Sequence, residues 1–171
     1  EKEREIVADG HELTLHLVRP HDNRERLPFF VFIHGGGWVL GDYPTHKRLV
    51  RDLVVESGVA AVFVDYTPSP EAKYPQAVEE IYAAVKWIAE NDEELDLDRH
   101  RMAVVGNSVG GNMTLAAALL AKKWHTPVIR ALVLLWPVTS ASFDWKSYVL
   151  YGEERFLTVP LMKWMFDQYT S

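Results

Sequence analysis

Short continuous apolar runs alternate along this chain with longer stretches in which apolar residues recur every third or fourth position. Leu13 to Val18 alternates as a half-buried strand does and stops at Pro20; a polar turn, His21 to Arg26, follows. Phe29-Phe30-Val31-Phe32-Ile33 is unbroken and rich in aromatic and β-branched residues, the pattern of a strand covered on both faces. Thr45 is placed to cap a helix running to Ser57, with Leu49, Leu53 and Val54 on one face and Gly58 as its stop. Val59 to Val64 predicts the next buried strand. A proline-rich loop, Tyr66 to Pro75, leads into a helix carrying Val78, Ile81, Tyr82, Val85, Trp87 and Ile88 mostly at helical spacing. Met102 to Val105 reads as a short strand, Asn112 to Lys122 as an Ala- and Leu-rich helix, and Val128 to Leu135 as another strand.

That order predicts an α/β fold: a mostly parallel sheet with helices on both faces, joined by right-handed crossovers. In open sheets of this class, chemistry sits at the carboxyl ends of the strands. The segments after Ile33, Val64 and Val105 therefore carry the functional reading.

Composition narrows the classes. With 171 residues, 48% apolar and 25% charged, the chain is a single globular domain, 1–171, without repeats or linker. It has no cysteine, which excludes disulfides and a cysteine nucleophile. A net charge of −6 without a basic cluster argues against a nucleic-acid partner. Its longest apolar stretches, Phe29–Ile33, Val59–Val64 and Ala131–Trp136, fall far short of the roughly 20 residues that span a bilayer. The opening Glu1-Lys2-Glu3-Arg4-Glu5 has no apolar segment behind it. The expectation is a cytoplasmic protein without stable membrane insertion.

Two glycine motifs carry the chemistry. Gly106-Asn107-Ser108-Val109-Gly110-Gly111 fits G-x-S-x-G between a strand and a helix. A nucleophile at so tight a turn has strained backbone angles, and its crowded neighbours must be glycine. The competing reading is a glycine-rich turn whose Ser108 merely caps the helix. His34-Gly35-Gly36-Gly37-Trp38 follows the first buried strand directly. Three consecutive glycines cost conformational entropy, and acyl transfer supplies a reason: an oxyanion needs backbone N–H donors approached without hindrance from Cβ. The competing reading is a flexible loop, with His34 a surface or supporting histidine. No second ligand stands at metal-binding spacing from His34, and Asp96 and Asp98 lie in a polar turn, so no metal and no cofactor are expected.

The chain resembles the hormone-sensitive-lipase-like branch of the α/β-hydrolase fold, which includes many carboxylesterases. His34-Gly35-Gly36-Gly37, the Gly41-Asp42…Thr45-His46 run, Asp65-Tyr66…Pro70-Glu71…Tyr74-Pro75, Gly106 to Asn112, Trp136-Pro137, Phe156-Leu157-Thr158 and Asp167-Gln168-Tyr169 carry the likeness. Asn107, Val109 and Thr67 to Ser69 depart from the family pattern. The resemblance implies a serine carboxylic-ester hydrolase for short- to medium-chain esters, with Ser108 as nucleophile. The N–H groups of Gly36, Gly37 and Val109 would form the oxyanion hole, and Trp38 would line the pocket. Its partner would be a small-molecule ester.

The acid and base are missing in the required order. After Ser108 the only histidine is His125, no carboxylate lies between them, and Asp144, Glu153, Glu154 and Asp167 all follow. His125 and His100 read as turn residues. The resemblance implies that the acid and histidine lie beyond this chain and that residues 137–171 begin a cap region, so the chain reads as the middle of a longer hydrolase. The alternative is a non-catalytic, receptor-type ligand-binding relative, or an inactive piece of the esterase. Trp87 and Trp136 read as core residues. Thr158 and Pro160 open a last helix whose stripe of Leu161, Trp164, Met165 and Tyr169 is expected to be partly exposed or covered by another molecule, including a second copy.

Overall fold

A computed structural model describes residues 1–20, 26–127 and 129–170. Its sheet has six strands: β1 (Lys2–Ala8), β2 (His11–Val18), β3 (Leu27–Ile33), β4 (Ala60–Asp65), β5 (Leu97–Asn107) and β6 (Ala131–Leu135). Their order is β1-β2-β4-β3-β5-β6. The last four run parallel, while β1 pairs antiparallel with β2 and β2 antiparallel with β4. The mostly parallel α/β fold is as expected.

The continuous apolar run of β3 has a direct cause. Phe29, Val31 and Ile33 enter the larger core, with α2 (Gln76–Glu90) and α3 (Val109–Trp124) on that face. Phe30 and Phe32 enter a second core on the other face, with Val50 and Val54 of α1 (Tyr43–Ser57). Alternate side chains of a strand point to opposite faces, so a strand covered twice has no polar position to alternate with.

Several boundaries differ from the sequence reading. Asp42, not Thr45, caps α1: its carboxylate accepts the Thr45 N–H at 2.9 Å, and the Thr45 hydroxyl accepts the Asp42 N–H at 3.0 Å. This reciprocal box leaves Thr45 as the third residue of the helix. Strand β1 has no strand pattern in the sequence because it lies at the sheet edge and buries only Ile6 and Ala8. Its polar side chains are satisfied at the surface, Arg4 by Glu94 and by the face of Trp87. The turn to β2 is Asp9-Gly10, both with positive φ, a hairpin signal that was present in the chain. Strand β5 begins at Leu97, so Asp98 and His100 are strand residues rather than turn residues. His21 to Glu25 of the expected polar turn, and Val128 of the last strand, lie outside the described residues.

Strand β6 is a largely exposed edge strand, not core. Trp136, expected in the core, is 69% exposed, because it follows the edge strand where no described element covers it. Trp87 is half-buried against the main core. Two further helices follow, α4 (Lys146–Tyr151) and α5 (Val159–Thr170). The α5 stripe splits: Met165 and Tyr169 are buried, while Leu161 and Trp164 remain exposed.

Candidate active site

Strands β3 and β5 are parallel neighbours, and Ile33 lies in register with Gly106. Both glycine motifs therefore leave the sheet side by side at the carboxyl ends of its central strands, where the topology of such sheets places function.

Ser108 stands at the turn between β5 and α3 with φ 56° and ψ −123°, and its side chain makes no capping hydrogen bond. Ser108 thus stands at the N-cap position of α3, but its hydroxyl does not act as the cap. Its backbone is tied on both sides: the Ser108 N–H donates to the Leu135 carbonyl at 2.9 Å, and its carbonyl accepts the N–H of Val138 at 3.2 Å. Backbone in so sparsely populated a region persists only when its surroundings hold it there. The flanking glycines are required by close approach. A Cβ on Gly106 would lie 2.3 Å from the Gly110 carbonyl oxygen, and one on Gly110 would lie 2.1 Å from the Ile33 carbonyl oxygen. Gly110 thus lets α3 begin against the end of β3.

The His34–Gly37 loop is held, not flexible. The His34 ring is buried between Phe63 and Tyr66, nearly parallel to both at centroid distances of 5.5 and 4.2 Å. Its Nδ1–H donates to the Gly35 carbonyl at 2.8 Å, the tautomer being assigned by that acceptor-only partner. The Tyr66 hydroxyl donates to the His34 carbonyl at 3.0 Å. Burial lowers the His34 pKa to about 4, so the ring is neutral at physiological pH. Of the two placements open to His34, surface or supporting, the structure shows the second: it is a buried post beneath the loop. Gly35 N–H donates to the Asn107 Oδ1 at 2.9 Å, joining this loop to the serine turn.

Gly36 has φ +128°, and its carbonyl accepts the N–H of Leu40 at 2.9 Å. A Cβ there would lie 1.8 Å from the Leu40 carbonyl oxygen. The N–H groups of Gly36 and Gly37 donate to no described residue. The N–H of Val109, in the first turn of α3, has no acceptor within its helix.

Gly36, Gly37, Trp38, Ser108 and Val109 share one apolar cavity of about 530 Å³, with Leu161, Met162 and Met165 of α5 on its other side. That volume lies in the ordinary range for a small-molecule site. His46, for which the sequence indicates no role, also lines it; its ring Nδ1 lies 3.0 Å from the Thr45 hydroxyl, and burial lowers its pKa. Met165, part of an apolar stripe in the sequence, places its sulfur 2.1 Å from where a Cβ on Gly37 would stand. Neither contact has a signature in local sequence.

His125 ends α3 in the left-handed conformation, at the opposite end from Ser108. Sixteen residues of helix separate the two by roughly 24 Å, so His125 cannot serve Ser108 as base. Among the described residues, no group of three His, Asp or Glu side chains is placed to hold a metal ion, and no helix is long and apolar enough to cross a membrane.

The chain matches a family model described as the alpha/beta hydrolase fold over residues 30–171. An ethyl acetate hydrolase of Pseudomonas putida is 34% identical over 168 residues, covering 96% of this chain and 53% of the relative. A thermostable esterase from Pseudomonas putida superposes with a TM-score of 0.97 at 55% identity, over 99% of this chain and 53% of its own. A hyperthermophilic esterase from the archaeon Pyrobaculum calidifontis gives 0.93 at 38% identity, over 99% of this chain and 55% of its own. This chain spans about half the length of the relatives it matches. By the family match, by these relatives and by its own sheet and turns, the chain belongs to the α/β-hydrolase fold family.

Proposed function

We propose that the protein is a serine carboxylic-ester hydrolase acting on small esters of short or medium acyl chain through an acyl-enzyme on Ser108. The observation that carries this reading is the convergence of the strained Ser108 turn and the Gly36–Gly37 loop on one apolar cavity. The Ser108 oxygen attacks the ester carbonyl, and the N–H groups of Gly36, Gly37 and Val109 receive the oxyanion that develops. Collapse of this intermediate breaks the bond to the alkoxy group, which leaves as the alcohol with the serine's proton. Water then cleaves the acyl-serine to release the acid and restore Ser108. Because these donors are fixed before substrate arrives, no reorganisation is needed as charge appears. The acyl or alkoxy chain lies against the apolar wall that includes Trp38 and Met165. Residues 137–171 begin the cap over this cavity, a role supported by the α5 residues that line it. The names of the relatives, an ethyl acetate hydrolase and several esterases, favour the same substrate class.

No residue of this chain is assigned as general base. The test is turnover of an aryl acetate and an aryl butyrate by the whole protein and by Ser108→Ala. Loss of the nucleophile should reduce the rate by several orders of magnitude, whereas equal rates would refute the proposal. Fluorophosphonate labelling of the 171-residue chain alone should be negligible, since Ser108 is there an ordinary alcohol. Rapid labelling of that chain would show that one of its own residues activates the serine.

A further inference from the structure

Trp38 directly follows Gly37 and has φ +64°, a conformation that a bulky residue keeps only when its surroundings impose it. The indole is 3% exposed, and its Nε1 is buried without a hydrogen-bond partner among the described residues. Among the described residues, no hydrogen bond orients the ring. Stacking does: the Tyr169 ring lies parallel to it at 4.6 Å and 6°, and Phe166 meets it edge-on at 4.7 Å. Tyr169 is anchored in turn, its carbonyl accepting the Tyr74 N–H at 2.8 Å. On the main chain, the Trp38 carbonyl accepts the Ser69 N–H at 2.7 Å. Rotation about the bonds joining Gly37 to Trp38 would swing the Gly37 N–H, and these contacts oppose that rotation.

Tyr169 is not among the residues that line the cavity, so its influence on a bound ester runs through Trp38. Met165, one helical turn earlier on α5, fills the space beside Gly37 that a Cβ would occupy. Helix α5 thus grips the glycine loop at two consecutive residues. We propose that Tyr169 is a positioning residue for ester hydrolysis: its stack on Trp38 holds the Gly36 and Gly37 N–H groups in the orientation that receives the oxyanion. The proposal rests on the reading of those N–H groups as oxyanion donors.

A positioning role acts on the transition state and not on ground-state binding. In the whole protein, Tyr169→Leu should lower kcat about tenfold or more with KM within about twofold, equally for aryl acetate and aryl butyrate. Affinity for an aryl trifluoromethyl ketone, which forms a tetrahedral oxyanion on the serine, should weaken by the same factor as kcat. Tyr169→Phe keeps the stack and should restore kcat, and Trp164→Ala, on the exposed face of α5, should change nothing. If Tyr169→Leu does not fold, Tyr169→His, which keeps a smaller flat ring at the same position outside the cavity lining, supplies the second test, with a smaller kcat loss, equal for both esters, expected. A rise confined to KM, a loss that depends on acyl length, or an unchanged kcat in a folded variant would overturn the proposal. Failure of the esterase reading itself is distinguishable, because Ser108→Ala would then equal the unsubstituted protein.

Discussion

The Asn107 side-chain oxygen accepts the Gly35 N–H at 2.9 Å, so the residue before the serine fastens the loop that leaves the neighbouring strand. As an amide, Asn107 supplies this acceptor without placing a charge beside Ser108, and the contact spans 72 positions of sequence.

Removing that acceptor leaves a half-buried N–H unpaired, at a cost of about 1–3 kcal/mol. Asn107→Ala should therefore unfold at lower urea concentration and hydrolyse esters more slowly, whereas Asn107→Asp should match the unsubstituted protein in both assays. Equal midpoints for Asn107→Ala and the parent would show that the bond carries no stability.

The two central loop glycines should differ in tolerance. A Cβ on Gly36 meets the Leu40 carbonyl oxygen at 1.8 Å, fixed backbone that cannot step aside. A Cβ on Gly37 meets the Met165 side chain, a flexible neighbour that would have to shift, in addition to the left-handed backbone strain of about 1–3 kcal/mol. Gly36→Ala should then lose both stability and activity more severely than Gly37→Ala, as read by thermal unfolding and ester turnover. The reverse order would contradict the loop geometry.

Acid should destabilise the fold through His34. Burial depresses its folded pKa from 6.5 to about 4, so between those values the unfolded chain binds the extra proton. Stability from this group is complete above pH 6.5 and is lost as pH falls toward 4, by roughly 2 kcal/mol at pH 5. Urea titrations at pH 7.5 and pH 5 should show that loss. His34→Asn, which keeps a donor toward the Gly35 carbonyl but does not titrate, should flatten the dependence. A slope unchanged by His34→Asn would assign the effect to other groups.

Around helices α4 and α5, Trp145 just before α4, Phe156 between the two and Trp164 within α5 are exposed by 60%, 100% and 48%. An apolar surface of this kind binds hydrophobic dyes and promotes association. The 171-residue chain should enhance the fluorescence of such a dye and sediment faster as its concentration rises. Replacing the three residues with serine should reduce both signals while leaving the far-ultraviolet spectrum intact; dye binding unaffected by the substitutions would place the surface elsewhere.

What the chain determined by itself is what local pattern encodes. The doubly covered strand at Phe29–Ile33 needs apolar side chains on both faces, and a strained serine turn needs glycine at Gly106 and Gly110, so both are legible without coordinates. Tertiary structure decided the rest. Strand β1 is charged because it is an edge, and only its pairing with β2 identifies it. His34 could have been a surface residue; Phe63 and Tyr66, distant in sequence, bury it. Trp136 and Trp87 have equally apolar side chains, yet the first is exposed because strand β6 lies at the sheet edge. The grip of Met165 and Tyr169 on the glycine loop joins residues more than a hundred positions apart. Such contacts leave no period or motif in the chain, because helix α5 can bury its stripe against any apolar surface of the right shape, and only the packed fold selects which one.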